Sequence, residues 1–177
     1  MSSASKSSSS SRSPTKRLLS ELNSNNSTAL PPGILSLAPL SASNLHTWRS
    51  IISGRELPAA TGYTRGRWLL SITVPTTYPL AAPQITFVTK MCHPNVHWDT
   101  GEVCLDLLKE RWTPVLTLRM CVEAVLRLLA EPGPESPLNV EMGALLRQGD
   151  TVGARALTGF FSDEERFEGA IESGFGA

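Results

Sequence analysis

Cysteine is scarce in this chain. Only Cys92, Cys104 and Cys121 occur among its 177 residues, and no two of them form a close pair. An odd count without paired spacing is untypical of a disulfide framework and indicates a reducing compartment. Structural zinc sites usually carry two close pairs of ligands, so the spacing also argues against a zinc-stabilised domain.

Charge of one sign and long apolar runs are lacking too. The formal net charge is zero, which argues against a general binder of nucleic acid or of membrane surfaces. No apolar run approaches the roughly 20 residues that a membrane span needs, and the N-terminus has no apolar signal region. We therefore expect neither nucleic-acid binding nor direct membrane insertion. If the protein works at a membrane, another molecule must hold it there.

The composition along the chain predicts one folded unit between two tails. Residues 1–13 are mostly serine, have nothing apolar to bury and are predicted to be disordered. Residues 14–165 are predicted to form one core domain, for which a hydrophobic content of 41% is sufficient. Residues 166–177 are predicted to be a tail or a frayed helix.

The first half of the core predicts a helix followed by four strands. Ser13 can cap a helix whose first residue is Pro14, and the asparagine and serine residues of 23–27 are expected to end it. The alternating segments that follow are separated by turn residues, with no helix between them, which predicts an antiparallel meander. The predicted strands are 33–40, 46–53, 67–74 and 84–88.

The second half changes character. A proline-rich, irregular stretch from 77 to 113 surrounds the last strand, and a strongly amphipathic helix is predicted over 117–130. Two shorter helices are predicted over 138–149 and 150–161, with Gly149 ending the first and Asp150 capping the second. The order of elements predicts an α+β fold with two to three C-terminal helices.

The segment "HPNVHWDTGEVCLDLL" (93–108) surrounds Cys104 with chemistry-bearing residues. Three interpretations compete for this cysteine: a small core residue, a metal ligand and a nucleophile. His93 and His97 supply further soft ligands or a base, but neither a zinc spacing nor a cysteine-protease signature surrounds them.

Four motifs follow one another in this region: "PTTYPLAAP" (75–83), "HPN" (93–95), "VCLD" (103–106) and "WTP" (112–114). Together they resemble the ubiquitin-conjugating enzymes, whose pattern has these elements in this order, and the match covers roughly residues 15–160. One extra residue between His-Pro-Asn and the cysteine, together with "SPLNVEMGALLRQGD" (136–150), looks like the peroxisomal branch of that family.

The resemblance implies thioester chemistry at Cys104. Its thiolate would take ubiquitin from the activating enzyme and later pass it, usually with a RING-type ligase, to an amine or thiol acceptor. No cofactor is implied on this chain, because the activating enzyme uses the ATP, and no metal is implied either.

The resemblance also implies roles around the nucleophile. Asn95 would donate to the carbonyl oxygen or hold the loop that shapes the site, although a plain turn-capping role stays open. His93 resembles a structural histidine that hydrogen-bonds backbone, and Pro94 fixes the turn. Asp106 belongs to the active-site loop.

The loop after the main helix is where many family members carry an acidic residue that helps an attacking lysine to lose its proton. The matching position here is Ser136, with Glu135 beside it. Either residue could tune the acceptor, and a thiol acceptor would depend less on a strong acid.

Partner surfaces are implied by position, and for Lys16 and Arg17 an ordinary solvated helix face is the alternative. The ligase-facing and activating-enzyme-facing residues are Lys16, Arg17, Leu80 and Pro114. The residues expected to face the donor ubiquitin are Met120, Glu123, Ala124 and Arg127.

The peroxisomal resemblance implies an import receptor as the substrate and a membrane-anchored peroxisomal tether as a partner. It places the protein in the cytosol, peripheral on the cytosolic face of the peroxisomal membrane. Two alternatives remain: a generic cytosolic conjugating enzyme, and an inert variant that acts only as a binding module.

Overall fold

The computed structural model of the chain describes residues 13–105, 108–133 and 137–170. Within these ranges, four strands lie between a first helix and three later ones, with a short 3-10 helix at Ala59–Thr61. The elements are α1 Pro14–Ser27, β1 Ile34–Ser41, β2 Asn44–Ser53, β3 Arg67–Thr73, β4 Gln84–Phe87, α2 Leu118–Ala130, α3 Val140–Arg147 and α4 Thr151–Glu164.

The strands form one antiparallel sheet in the order β1-β2-β3-β4. Each strand pairs with its neighbour in sequence, so the predicted meander and the α+β class are confirmed. The two predicted N-caps are confirmed, because the side chains of Ser13 and Asp150 accept backbone N–H groups at the starts of α1 and α4. Thr117 does the same at the start of α2.

The asparagine and serine residues of 23–27 do not break the first helix, contrary to the prediction. α1 continues through Ser27, because Thr28 closes its last turn with its backbone N–H and its hydroxyl, both of which donate to the Ser24 carbonyl. The guanidinium of Arg119 in α2 also donates to the oxygens of Thr28 and Ala29. Tertiary contacts outweigh the weak helix propensity of asparagine and serine. α4 likewise runs three residues beyond its predicted end at 161.

The core lies between one face of the sheet and α2. Trp48, Trp68 and Ile72 from the strands are almost fully buried in the same cluster as Val122 and Val125 from α2. This arrangement leaves the opposite face of α2 in contact with solvent. In the described part of the chain, no helix is both long and apolar enough to cross a membrane.

The outer face of the sheet carries a second apolar contact. Ile51 and Leu69 are neighbours across β2 and β3 and point away from the core, yet both are buried. Phe167 and Ala170 line a shallow cavity together with them. The Phe167 N–H donates to the Arg67 carbonyl at 2.8 Å, and the Arg67 guanidinium donates back to the Phe167 carbonyl at 2.9 Å. Residues 166–170 therefore cover this face.

Candidate active site

Cys104 follows a short two-stranded bridge between Val96 and Val103. Its backbone N–H donates to the Asn95 carbonyl at 2.8 Å, so the cysteine is fixed beside the His-Pro-Asn segment. The residue is half-buried, whereas Cys92 and Cys121 are buried. Burial raises the pKa of Cys92 to about 11 and that of Cys121 to about 12, which keeps both as thiols at neutral pH.

A tight turn joins the His-Pro-Asn segment to the cysteine. The His97 N–H donates to the Glu102 carbonyl at 2.9 Å, and the Gly101 N–H donates to the His97 carbonyl at 2.9 Å. Gly101 has φ +68°, and a Cβ there would lie 2.0 Å from the Phe87 carbonyl oxygen, so only glycine fits. His97 stabilises the turn, because its Nδ1 accepts the N–H groups of Asp99 and Thr100.

His93 is completely buried and bonded at both ring nitrogens. Its Nδ1 lies 3.0 Å from the Asn95 N–H, which can only donate, so Nδ1 is the acceptor. Nε2 then carries the proton and donates to the Leu128 carbonyl at 3.1 Å. Burial lowers the pKa of His93 to about 4, and the Leu128 carbonyl opposes this only in part. The ring is neutral at physiological pH and joins the site to the last turns of α2.

Asn95 is buried and its side-chain amide is bonded to Gly133 in both directions. Nδ2 donates to the Gly133 carbonyl at 2.6 Å, and Oδ1 accepts the Gly133 N–H at 2.9 Å. Pro94 holds the far end of the same loop, since its carbonyl accepts the N–H groups of Leu138 and Asn139. The His-Pro-Asn segment therefore anchors the loop after α2 on both sides. The Asn95 side chain thus serves here to hold the loop after α2 in place.

Two residues singled out in the sequence, Asp106 and Ser136, lie outside the described residues, as does Glu135. Their roles stay predictions. The described residues contain no group of three or more histidine, cysteine or acidic side chains that could hold a metal ion.

Hydrogen bonds link the three segments that carry the residues expected to face the ligase. Arg17 donates to the carbonyls of Pro114 and Leu116, and the Trp112 indole donates to the Pro79 carbonyl, next to Leu80. Leu80 is 77% exposed, and Lys16 and Pro114 are also exposed. The exception is Arg17, whose guanidinium is largely engaged within the fold. Partner contact by these residues stays a prediction.

A buried carboxylate that the sequence reasoning missed lies beneath this surface. Glu21 accepts hydrogen bonds from Arg17 Nε at 2.5 Å, Tyr78 Oη at 2.7 Å and the Leu118 N–H at 2.8 Å. It thus links α1, the Tyr-Pro loop and the N-terminus of α2. Burial and the neighbouring Glu21 charge raise the pKa of Tyr78 above its usual range. In the sequence, Glu21 lies one helical turn after Arg17, and this spacing could have indicated the ion pair between them.

The residues expected to face the donor ubiquitin lie on the outer side of α2. Met120 is 42% exposed, Arg127 is exposed, and Glu123 and Ala124 are half-buried. The opposite side of the helix is buried in the core, so the outer side is open for a partner. Ubiquitin contact at these four residues stays a prediction.

Lys109 also lies at the site and was not singled out from the sequence. Its Nζ is 3.7 Å from the Cys104 Sγ, and the lysine is exposed. Nothing in the local sequence pattern distinguishes it from a solvated lysine, and only its contact with Cys104 in the folded chain draws attention to it.

Comparisons with known proteins agree with the motif pattern. The family model described as "Ubiquitin-conjugating enzyme" matches residues 17–156. The chain is 45% identical to "Ubiquitin-conjugating enzyme E2 PEX4" of Gibberella zeae, over 90% of this chain and 93% of the relative. It is 44% identical to "Protein PEROXIN-4" of Arabidopsis thaliana, over 67% of this chain and 74% of the relative.

A solved structure has the same fold. The ubiquitin-conjugating enzyme Pex4p of H. polymorpha, solved in complex with the soluble domain of Pex22p, superposes with a TM-score of 0.78 at 33% identity. The similarity covers 87% of this chain and 99% of that one.

Proposed function

Because the chain belongs to the ubiquitin-conjugating enzyme family, we propose that it accepts ubiquitin as a thioester on Cys104 and transfers it to a protein acceptor. The observation that carries this proposal is the contrast between the three cysteines. Cys104 is half-exposed at the end of an anchored turn, whereas Cys92 and Cys121 are buried thiols with raised pKa values. The thiolate is the nucleophilic form of cysteine, which favours Cys104 as the carrier.

The transfer proceeds in two steps of the same kind. The Cys104 thiolate attacks the thioester carbonyl of ubiquitin on the activating enzyme, and the bond to the activating enzyme's sulfur breaks. An amine or thiol then attacks the new thioester, and the electron pair of the broken bond returns to the Cys104 sulfur. Sulfur suits both steps because it is a good nucleophile and a good leaving group. A RING-type ligase holds the acceptor and ubiquitin together.

The residues around Cys104 position the reacting groups. His93, neutral and bonded at both nitrogens, supports the turn and takes no part in proton transfer. Asn95 holds the loop after α2 through Gly133. If the carbonyl oxygen approaches Nδ2, the amide can donate its second hydrogen there, because a primary amide carries two.

The pathway is a finer part of the proposal. Relatives named as peroxin-4 proteins align with most of the chain, and one of them was solved with the soluble domain of Pex22p. We place the enzyme on the cytosolic face of the peroxisomal membrane, held by a membrane-anchored tether of that kind. An import receptor is the proposed acceptor. A generic cytosolic role instead predicts normal peroxisomal import after deletion of the gene.

A charging assay tests the thioester proposal. The protein is incubated with activating enzyme, ATP and ubiquitin, then run on a non-reducing gel with and without added thiol, beside Cys104→Ala and Cys92→Ala. We expect one thiol-sensitive band that carries a single ubiquitin and is lost only in Cys104→Ala. No band in the folded wild-type protein would favour the inert binding module.

A further inference from the structure

The side chain of Lys109 places a positive charge at the reacting sulfur. Its Nζ lies 3.7 Å from the Cys104 Sγ, within the range of an ammonium–sulfur hydrogen bond. The segment that carries it follows the active-site loop, and the lysine is otherwise exposed to solvent. The contact therefore joins two residues that are five positions apart along the chain.

The amide donor implied for this site carries no charge, and one of its two hydrogens is already donated to the Gly133 carbonyl. The Asn95 side chain both donates to and accepts from the Gly133 backbone, at 2.6 and 2.9 Å. His93 cannot supply charge either, because burial lowers its pKa to about 4. Among the described residues, Lys109 is the one whose positive charge lies within hydrogen-bond distance of Sγ.

Negative charge reaches the sulfur in both steps of the proposed transfer. It resides on Sγ before the carbonyl is attacked, passes to the carbonyl oxygen in the tetrahedral intermediate, and returns to Sγ when an acceptor displaces the enzyme. A fixed cation beside this path stabilises the charged species relative to the neutral thioester.

We propose that Lys109 is a catalytic residue, which acts as an ammonium that stabilises the charge on the sulfur and adjacent carbonyl during ubiquitin transfer. This proposal depends on the proposed thioester function. Lys109 keeps its proton throughout. When an amine attacks, the new C–N bond forms, the C–Sγ bond breaks, and the amine proton leaves to solvent.

The experiment isolates discharge from charging. Wild type, Lys109→Gln, Lys109→Arg and Arg111→Gln are each charged with ubiquitin, the activating enzyme is stopped by chelation of magnesium, and free lysine or free cysteine is added. Arg111→Gln is the matched control, because it removes one exposed positive charge two residues away. The rate of loss of the thioester band is measured at low and high salt.

We expect Lys109→Gln to discharge about three- to tenfold more slowly at low salt, a modest factor because the lysine is exposed. Lys109→Arg and Arg111→Gln should stay near the wild-type rate. Salt should slow the wild type towards Lys109→Gln, because an exposed charge is screened. A purely structural role for Lys109 would not produce this salt dependence.

Two outcomes would overturn the inference. Equal discharge rates for wild type and Lys109→Gln would show that the ammonium does not act on the reaction. A thiol-resistant ubiquitin adduct mapped to Lys109 in the wild type would show that this amine loses its proton and serves as an acceptor. Failure of the wild type to charge would instead refute the proposed function itself.

Discussion

His93 makes the stability of this fold depend on pH in a defined direction. Its pKa is about 4 in the folded state, against an ordinary value of 6.5, because the ring is buried. Between these two values the unfolded chain binds a proton that the folded chain does not. The free energy of unfolding therefore rises with pH across this interval. The contribution of His93 is fully present above pH 6.5 and is lost as pH falls towards 4.

The size of this effect follows from the separation of the two pKa values. At about 1.4 kcal/mol for each pKa unit, acidification lowers the free energy of unfolding by roughly 3 kcal/mol through His93. The geometry agrees with this direction. Protonation of Nδ1 would place a donor against the Asn95 N–H at 3.0 Å and break the bond that fixes the turn before Cys104.

Urea unfolding of wild type and His93→Gln at several pH values between about 4 and 7.5 measures the effect. Carboxylates also titrate in acid, so the informative quantity is the difference in the free energy of unfolding between the two proteins at each pH. We expect the variant to be less stable at neutral pH and the difference to shrink as pH falls through the window. A difference that is constant with pH would refute the assignment of His93 as a buried neutral ring.

Three further predictions test separate parts of the structure. Glu21→Gln should lower the free energy of unfolding by about 2 kcal/mol in urea, since it removes the charge that pairs with a partly exposed arginine; an unchanged midpoint would contradict the network. Phe167→Ala should uncover Ile51 and Leu69, cost about 1–2 kcal/mol and increase binding of a hydrophobic dye; no added dye binding would contradict the covering role. Ser136→Asp should raise discharge to lysine more than discharge to cysteine in single-turnover assays, and equal rises would exclude the proposed tuning.

The elements with strong local patterns could be predicted from the sequence. The four strands alternate and are separated by turn residues, and α2 carries a continuous apolar stripe, so both were found close to their observed bounds. Cap positions were also predictable, because the N–H groups at a helix start need a side-chain acceptor that only a few residue types provide.

Contacts between distant segments could not be predicted this way. The continuation of α1 depends on Thr28 and on Arg119, which is some ninety positions away along the chain. The same holds for Glu21, two of whose partners come from distant segments, and for the pairing of Asn95 with Gly133. Local pattern carries no information on which polar groups meet across the fold.

The most direct test of the central claim exchanges the sulfur of Cys104 for oxygen. In Cys104→Ser, the same position should still take up one ubiquitin, but slowly and as an oxyester that resists thiol and is cleaved by base, whereas the wild-type adduct is cleaved by thiol. This change of lability at one position would show that Cys104 is the acyl carrier. A Cys104→Ser protein that still forms a thiol-sensitive adduct would contradict the account, because another cysteine would then carry the ubiquitin.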